Sequence, residues 1–125
     1  MRKIIVQVCL IMTIMFSLSA KADDPVPSTQ TKVCTPADVS VFFNSRLHIK
    51  CTTPMETGHY WDEYIYYFSV SINDYDSFNY ALKLATEAVG SGKQLKLWAK
   101  SNSSFNPSGC SSSNCRKLTA ISLLR

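Results

Sequence analysis

"EYIYYFSVSINDYDSFNYALKLATEAVGSGKQLKLWAK", residues 63–100, holds three hydrophobic periods in one run, and their order decides the fold. Its first ten residues are rich in aromatic and β-branched side chains, which suits a strand crossing the middle of a sheet. From Asn73 the period changes. Phe78, Leu82, Ala85 and Val89 recur at three- and four-residue steps, the spacing of one helix face. Asn73 or Asp74 is suited to accept the free amides of a helix start, and Gly90-Ser91-Gly92 to stop the helix. "KQLKLWAK" returns to alternation, with Leu95 and Leu97 on one side and Lys96, Trp98 and Lys100 on the other. Another strand therefore follows the helix.

Working outward, "DVSVFFNSRLHIKC" (38–51) alternates as a hairpin. Val39, Val41 and Phe43, then Leu47, Ile49 and Cys51, make its dry face, with Asn44-Ser45 as the turn and Arg46, His48 and Lys50 on the wet face. "TTPMETGHYWDE" (52–63) reads as a loop punctuated by Pro54 and Gly58, with Tyr60 and Trp61 near its exit. Downstream, "SNSSFNPSGCSSSN" (101–114) is a long polar loop. "KLTAISLL" (117–124) is a final strand in which Leu118, Ala120 and Ser122 alternate with Thr119, Ile121 and Leu123. "DDPVPSTQTK" (23–32) has two prolines and no apolar period, so it reads as a leader before a domain spanning 33–125.

The N-terminus sets the compartment. Arg2 and Lys3 precede an apolar run from Ile4 to Phe16, which ends in Ala20-Lys21-Ala22. That is the layout of a signal peptide cleaved after Ala22, and the run is too short for a membrane span. Cys9 would leave with it. The 103 residues that remain form one small domain, able to bury only about two-thirds of its unfolded surface, so staples are expected. Four cysteines stay, Cys34, Cys51, Cys110 and Cys115, and disulfides are the default in an oxidising compartment. Without the signal, ten Lys and Arg face nine Asp and Glu, a balance near +1 that argues neither for nucleic acid nor for an anionic membrane surface.

Catalytic chemistry has no foothold, and no cofactor is expected. Asp62 and Glu63 are neighbours that a strand would point to opposite faces, so they make no glycosidase pair. No G-x-S-x-G elbow or phosphate-cradling glycine loop occurs. His48 and His59 stand eleven residues apart, without the second ligand couple a zinc site needs, and each reads as a surface or loop histidine. Cys110 and Cys115 lack the C-x-x-C spacing of a redox motif. What remains is surface chemistry: Tyr60, Trp61, Trp98 and Phe105 lie in loops or on an outer face, where rings either stack on a ligand or cover the core. Tyr64, Tyr66, Tyr67 and Phe68 read as core or interface.

The segment from Phe78 to Cys115, helix, "GSGKQLKLWA", loop, then "CSSSNC", resembles the second half of the B subunits of pertussis-like and subtilase-type bacterial toxins. It is also similar to a broad set of small secreted bacterial proteins. Coverage runs roughly from Val39 to Leu124, with only the helix-strand-cysteine segment specific. Two features depart from the toxin pattern: the toxin subunits carry a longer loop with an aromatic-proline element between their last two strands, and here a full strand follows Cys115. The resemblance implies a small OB-like β-barrel with one helix, mainly β (α+β), in the order β-β-β-α-β-β. It also implies a cysteine pair clipping the early strands, where Cys34 and Cys51 stand. Four cysteines allow three pairings, and closing each local loop selects Cys34–Cys51 and Cys110–Cys115. On the chain-entropy estimate these would add roughly 3 and roughly 2 kcal/mol.

The function expected on this basis is a secreted or periplasmic, non-catalytic binding module. By resemblance it is a toxin B-type subunit that recognises a host glycan, with a homo-oligomer or a toxin A-type subunit as partner. The alternative is a periplasmic structural or protein-interaction module with no glycan ligand.

Overall fold

The computed structural model describes residues 28–57 and 63–125. The signal segment 1–22, residues 23–27 of the leader, and His59, Tyr60 and Trp61 lie outside the described residues.

The elements are β1 (Thr29–Cys34), β2 (Pro36–Phe42), β3 (Arg46–Thr57), β4 (Glu63–Ser71), α1 (Tyr75–Ser91), β5 (Leu95–Lys100), a 3₁₀ turn (Ser103–Phe105) and β6 (Cys115–Leu123). The six strands make one sheet in the order β1-β5-β6-β4-β3-β2. All neighbours are antiparallel except β4 and β6. A mainly β chain with one helix and two disulfides is therefore as expected. The order is not: among the described residues four strands precede the helix rather than three, and no ladder closes the sheet into a barrel.

The additional strand, β1, has the polar sequence TQTKVC, and it takes in four residues assigned above to the leader. Its pairing with β5, from Thr29 opposite Lys100 to Cys34 opposite Leu95, makes it a strand, and an edge strand needs no apolar alternation for that. Likewise β3 runs on to Thr57 through residues read as a loop. Pro54 falls where the β3–β4 register shifts, between Lys50 and Met55, a place where a missing amide donor breaks no ladder bond.

β1 and β2 stand at opposite ends of the sheet, yet only Thr35 separates them in the chain. This corner is tied down from three sides. The Cys34–Cys51 disulfide joins β1 to β3, Thr52 N–H donates to the Thr35 carbonyl at 2.9 Å, and the Gln94 amide donates to the Thr35 hydroxyl at 3.0 Å.

The core is filled by alternate residues of the central strands: Leu47, Ile49 and Cys51 on β3, Ile65, Phe68 and Val70 on β4, Leu95, Leu97 and Ala99 on β5. β4 changes phase between Ile65 and Phe68, where the amides of Tyr66 and Tyr67 both donate to the Asn114 carbonyl, so Tyr66 and Tyr67 are half-buried and Tyr64 is exposed. β6 also changes phase, opposite a register shift at Trp98/Ala99: Leu118 is buried, Ala120 is exposed, and Ile121 and Leu123 pack on the core.

The helix buries Phe78, Ala81, Ala85 and Ala88 rather than the face through Leu82 and Val89; Leu82 is half-buried and Val89 exposed. Alanines let the helix axis approach the sheet closely, and close approach wins over the larger side chains. Asp74 occupies the cap position, but its side chain makes no capping bond. The helix passes through Gly90 and ends on Gly92, whose φ of 67° is the left-handed conformation glycine tolerates best. On the hairpin, the dry face thins out toward the turn: Val41 is 40 % and Phe43 90 % exposed, beside Asn44 with φ of 58°.

Candidate functional site

The β4–α1 junction and the β5–β6 loop face one another across a pocket. Ser71, Asn73 and Asp74 line one side, Phe105, Pro107 and Ser108 the other, and Val70 and Lys117 complete it. Local chemistry shapes both walls. Asp74 N–H donates to the Ser71 carbonyl at 3.1 Å and Asn73 N–H to the Ser71 hydroxyl at 3.1 Å, a tight turn that presents the Asn73 and Asp74 side chains. Because Asp74 spends only its carbonyl on the helix, accepting from Phe78 N–H at 2.8 Å, its carboxylate is left for other partners.

The opposite wall begins with Asn102, which accepts from Ser104 N–H at 2.8 Å and starts the 3₁₀ turn ending at Phe105. Asn106 then pins the loop to β6. Its amide donates to the carbonyls of Cys110 (3.3 Å) and Cys115 (2.9 Å), while its own carbonyl accepts from Lys117 N–H at 3.2 Å. Arg116, 2 % exposed, braces the same loop from beneath: Nε donates to the Ser101 carbonyl at 3.0 Å, and Nη1 to those of Ser112 and Cys115, both at 2.7 Å. The Cys110–Cys115 disulfide closes it. The pocket wall is thus rigidly held although its sequence is mostly serine and asparagine.

Phe105 is 53 % exposed, with the Lys100 ammonium 4.8 Å from its ring centre. Trp98 is half-buried on the outer face of β5, under the Lys96 ammonium at 5.0 Å. Among the described residues no ring contact joins the two, so the structure separates two of the four expected ligand-binding residues: Phe105 belongs to the pocket and Trp98 to the neighbouring sheet face. Tyr60 and Trp61 lie outside the described residues.

Sequence reasoning missed Asn73, Asp74, Ser108 and Lys117 as site residues. Asn73 and Asp74 read there only as a helix cap, and their convergence with a loop thirty residues onward follows from the parallel β4–β6 pairing.

His48 is a second departure, since it is half-buried within a cluster. Its ring meets Phe42 edge-on at 5.0 Å and tilts toward Tyr67 at 5.8 Å, Nε2 accepts from Arg46 Nε at 2.8 Å, and Cys115 Sγ lies 4.0 Å away. His48 Nε2 and the sulfurs of Cys110 and Cys115 lie within 4.8 Å of one another, close enough for a metal-ligand trio, but the sulfurs are bonded together and the nitrogen is engaged by Arg46. Burial, and then the Arg46 charge, lower the His48 pKa from 6.5 to about 4. The unfolded chain therefore takes up a proton near pH 6.5 that the native state refuses until about pH 4, so stability is lost as pH falls through that window. The wild-type melting temperature should drop more than that of His48→Gln between pH 7 and pH 4; equal drops would show that His48 is not the titrating group.

Comparison with known proteins finds no matching family model, no matching curated protein and no matching solved structure.

Proposed function

We propose that this chain is a secreted, non-catalytic binding module whose ligand is a glycan taken up in the Phe105 pocket. The observation that carries the reading is the company Phe105 keeps. An exposed ring stands beside an uncommitted carboxylate (Asp74), an amide (Asn73), a hydroxyl (Ser108) and an ammonium (Lys117). A sugar presents an apolar ring face and a rim of hydroxyls that both donate and accept, and this lining offers a partner to each. Trp98, with Thr31 opposite it on β1, stands apart from this pocket on the neighbouring sheet face and would serve only as a secondary contact.

The OB-like barrel is part of the same reading. Its support is the corner at Thr35: if β1 and β2 are one bent strand, the two edges of the sheet are edges of a single strand and the order becomes cyclic. Two disulfides support an oxidising compartment, in keeping with the expected signal peptide. No helix among the described residues is long and apolar enough to cross a membrane. The toxin B-type role, with a homo-oligomer or an A-type partner, rests on the resemblance of residues 78–115.

A glycan array probed with the wild type and Phe105→Ala tests the proposal. Phe105→Ala should weaken binding by roughly 1–3 kcal/mol, as for loss of an aromatic anchor. Its exposure predicts little change in melting temperature. If the wild type binds no glycan, the protein-interaction alternative takes over. Phe43, Tyr75 and Tyr80, between 67 % and 90 % exposed, are the surface residues that favour it.

A further inference from the structure

The two disulfides sit in different surroundings. Cys34 and Cys51 are fully buried in the apolar core, each at 0 % exposure. Cys115 is 1 % exposed, but Cys110 keeps 8 % and lies between the exposed Gly109 and Ser111. A nearby cation is a second feature of the Cys110–Cys115 bridge. Arg46 is held in place by its bonds to His48 Nε2 (2.8 Å) and the Ser45 hydroxyl (3.0 Å) and by stacking 4.1 Å from the centre of the Phe42 ring, and none of these partners is anionic. Its guanidinium lies beside the cysteine loop, and its partner His48 lies beside the bridge. His48 touches Cys115 Sγ; the guanidinium itself lies against Gly109, so closely that a Cβ there would collide with it.

Thiol–disulfide exchange needs an accessible sulfur to attack and a partner sulfur that leaves easily, and a cation beside a thiol makes it a better leaving group by stabilising the thiolate. We propose that Cys110 is a site of thiol–disulfide exchange with low-molecular-weight thiols, with Cys115 leaving as a thiolate in the field of the Arg46 guanidinium, to which the neutral His48 ring is bonded. The incoming thiol reacts as its thiolate, its proton already lost to water. A bond forms between its sulfur and Cys110 Sγ, the Cys110–Cys115 bond breaks, and the electron pair of that bond goes to Cys115 Sγ. A second thiolate attacks the small-molecule sulfur of the mixed disulfide, releasing Cys110 reduced and the small-molecule disulfide oxidised. Cys34–Cys51, with both residues at 0 % exposure, offers an incoming thiolate no accessible sulfur and stays intact. The exchange does not depend on the glycan reading, although the loop it loosens carries Phe105 and Ser108.

Folded wild-type protein treated with reduced glutathione at neutral pH, quenched by rapid alkylation and mapped by peptide mass spectrometry, tests this. The glutathione adduct should appear on Cys110, and Cys110–Cys115 should open at least about tenfold faster than Cys34–Cys51. Arg46→Gln should slow that opening by about tenfold and Arg46→Lys should restore most of it, since the charge is what matters. An adduct on Cys115, equal rates for the two bridges, or an Arg46→Gln rate equal to wild type would overturn the proposal. The adduct position and the rate ratio are read on the wild type, so they decide the matter even if Arg46→Gln does not fold.

Discussion

Arg116→Met should lower stability by about 3–5 kcal/mol, because it removes the donors from several backbone carbonyls that cannot themselves be replaced. Met keeps most of the arginine stem, so the loss is not mainly one of volume. What goes is the bond from Nε to Ser101 and the two from Nη1 to Ser112 and Cys115. Arg116 stands opposite Phe68 in the β4–β6 ladder at 2 % exposure, where water has little room to substitute. At roughly 4–8 °C per kcal/mol for a domain of this size, the melting temperature should fall by at least about 12 °C. Arg116→Lys should fall between the two, since an ammonium lacks the planar fork that reaches separated acceptors. A Met variant melting within about 3 °C of wild type would mean that those carbonyls find other donors, and the bracing described here would be wrong. The proposed glycan binding should fall along with stability in this variant. In Phe105→Ala it should weaken without it, which separates a brace from a contact.

The parts of the fold legible in the sequence are those where burial is one-sided. β5 reads correctly because Leu95, Leu97 and Ala99 are buried while Lys96, Trp98 and Lys100 stay on the outer face. The central place of β4 reads correctly because aromatic and β-branched residues suit a strand with neighbours on both sides. β1 was not legible, for its partner lies more than sixty residues away and its own side chains show no period. The phase changes in β4 and β6 are likewise created by cross-strand pairing, at Asn114 and at Trp98/Ala99, and have no local signature. On the helix, the expected and observed faces share Phe78 and Ala85; where they differ, periodicity chose Leu82 and Val89 while packing chose the smaller Ala81 and Ala88.

The site was legible as chemistry and not as place. Phe105 could be singled out as an aromatic in a polar loop, but nothing in its neighbourhood points to Asn73 and Asp74, which arrive from the start of the helix. Arg116 and Asn106 were invisible for a related reason: each works by bonding to main-chain carbonyls, and any residue can supply those. The Arg46–His48 pair was read as a wet hairpin face because the strand alternation is correct there. What covers that face is the cysteine loop, sixty residues further on.

Removing the Cys34–Cys51 bridge as the double variant Cys34→Ala/Cys51→Ala should cost about 3–5 kcal/mol, roughly 3 from the freedom returned to the unfolded chain and the rest from sulfur lost in a fully packed core. The double variant is the informative one, because a single substitution leaves a buried free thiol. The corner makes the loss local as well as global. β1 is laddered to β5 alone, and without the bridge its remaining ties to β3 near Thr35 are the Thr52–Thr35 backbone bond and the Lys32 ammonium bonded to the Thr53 hydroxyl at 2.8 Å. Exposed polar bonds of that kind contribute little against the entropy of a six-residue edge strand. Amide hydrogen exchange across Thr29–Cys34 should therefore accelerate more than across Leu47–Lys50, which keeps partners on both sides. The corresponding double serine variant of Cys110 and Cys115 should cost less, roughly 2 kcal/mol, because its loop is shorter and Asn106 and Arg116 still hold it. If the two double variants melt together, or if β1 exchanges no faster than β3 once the first bridge is gone, the Thr35 corner is held by its strands rather than by its sulfur.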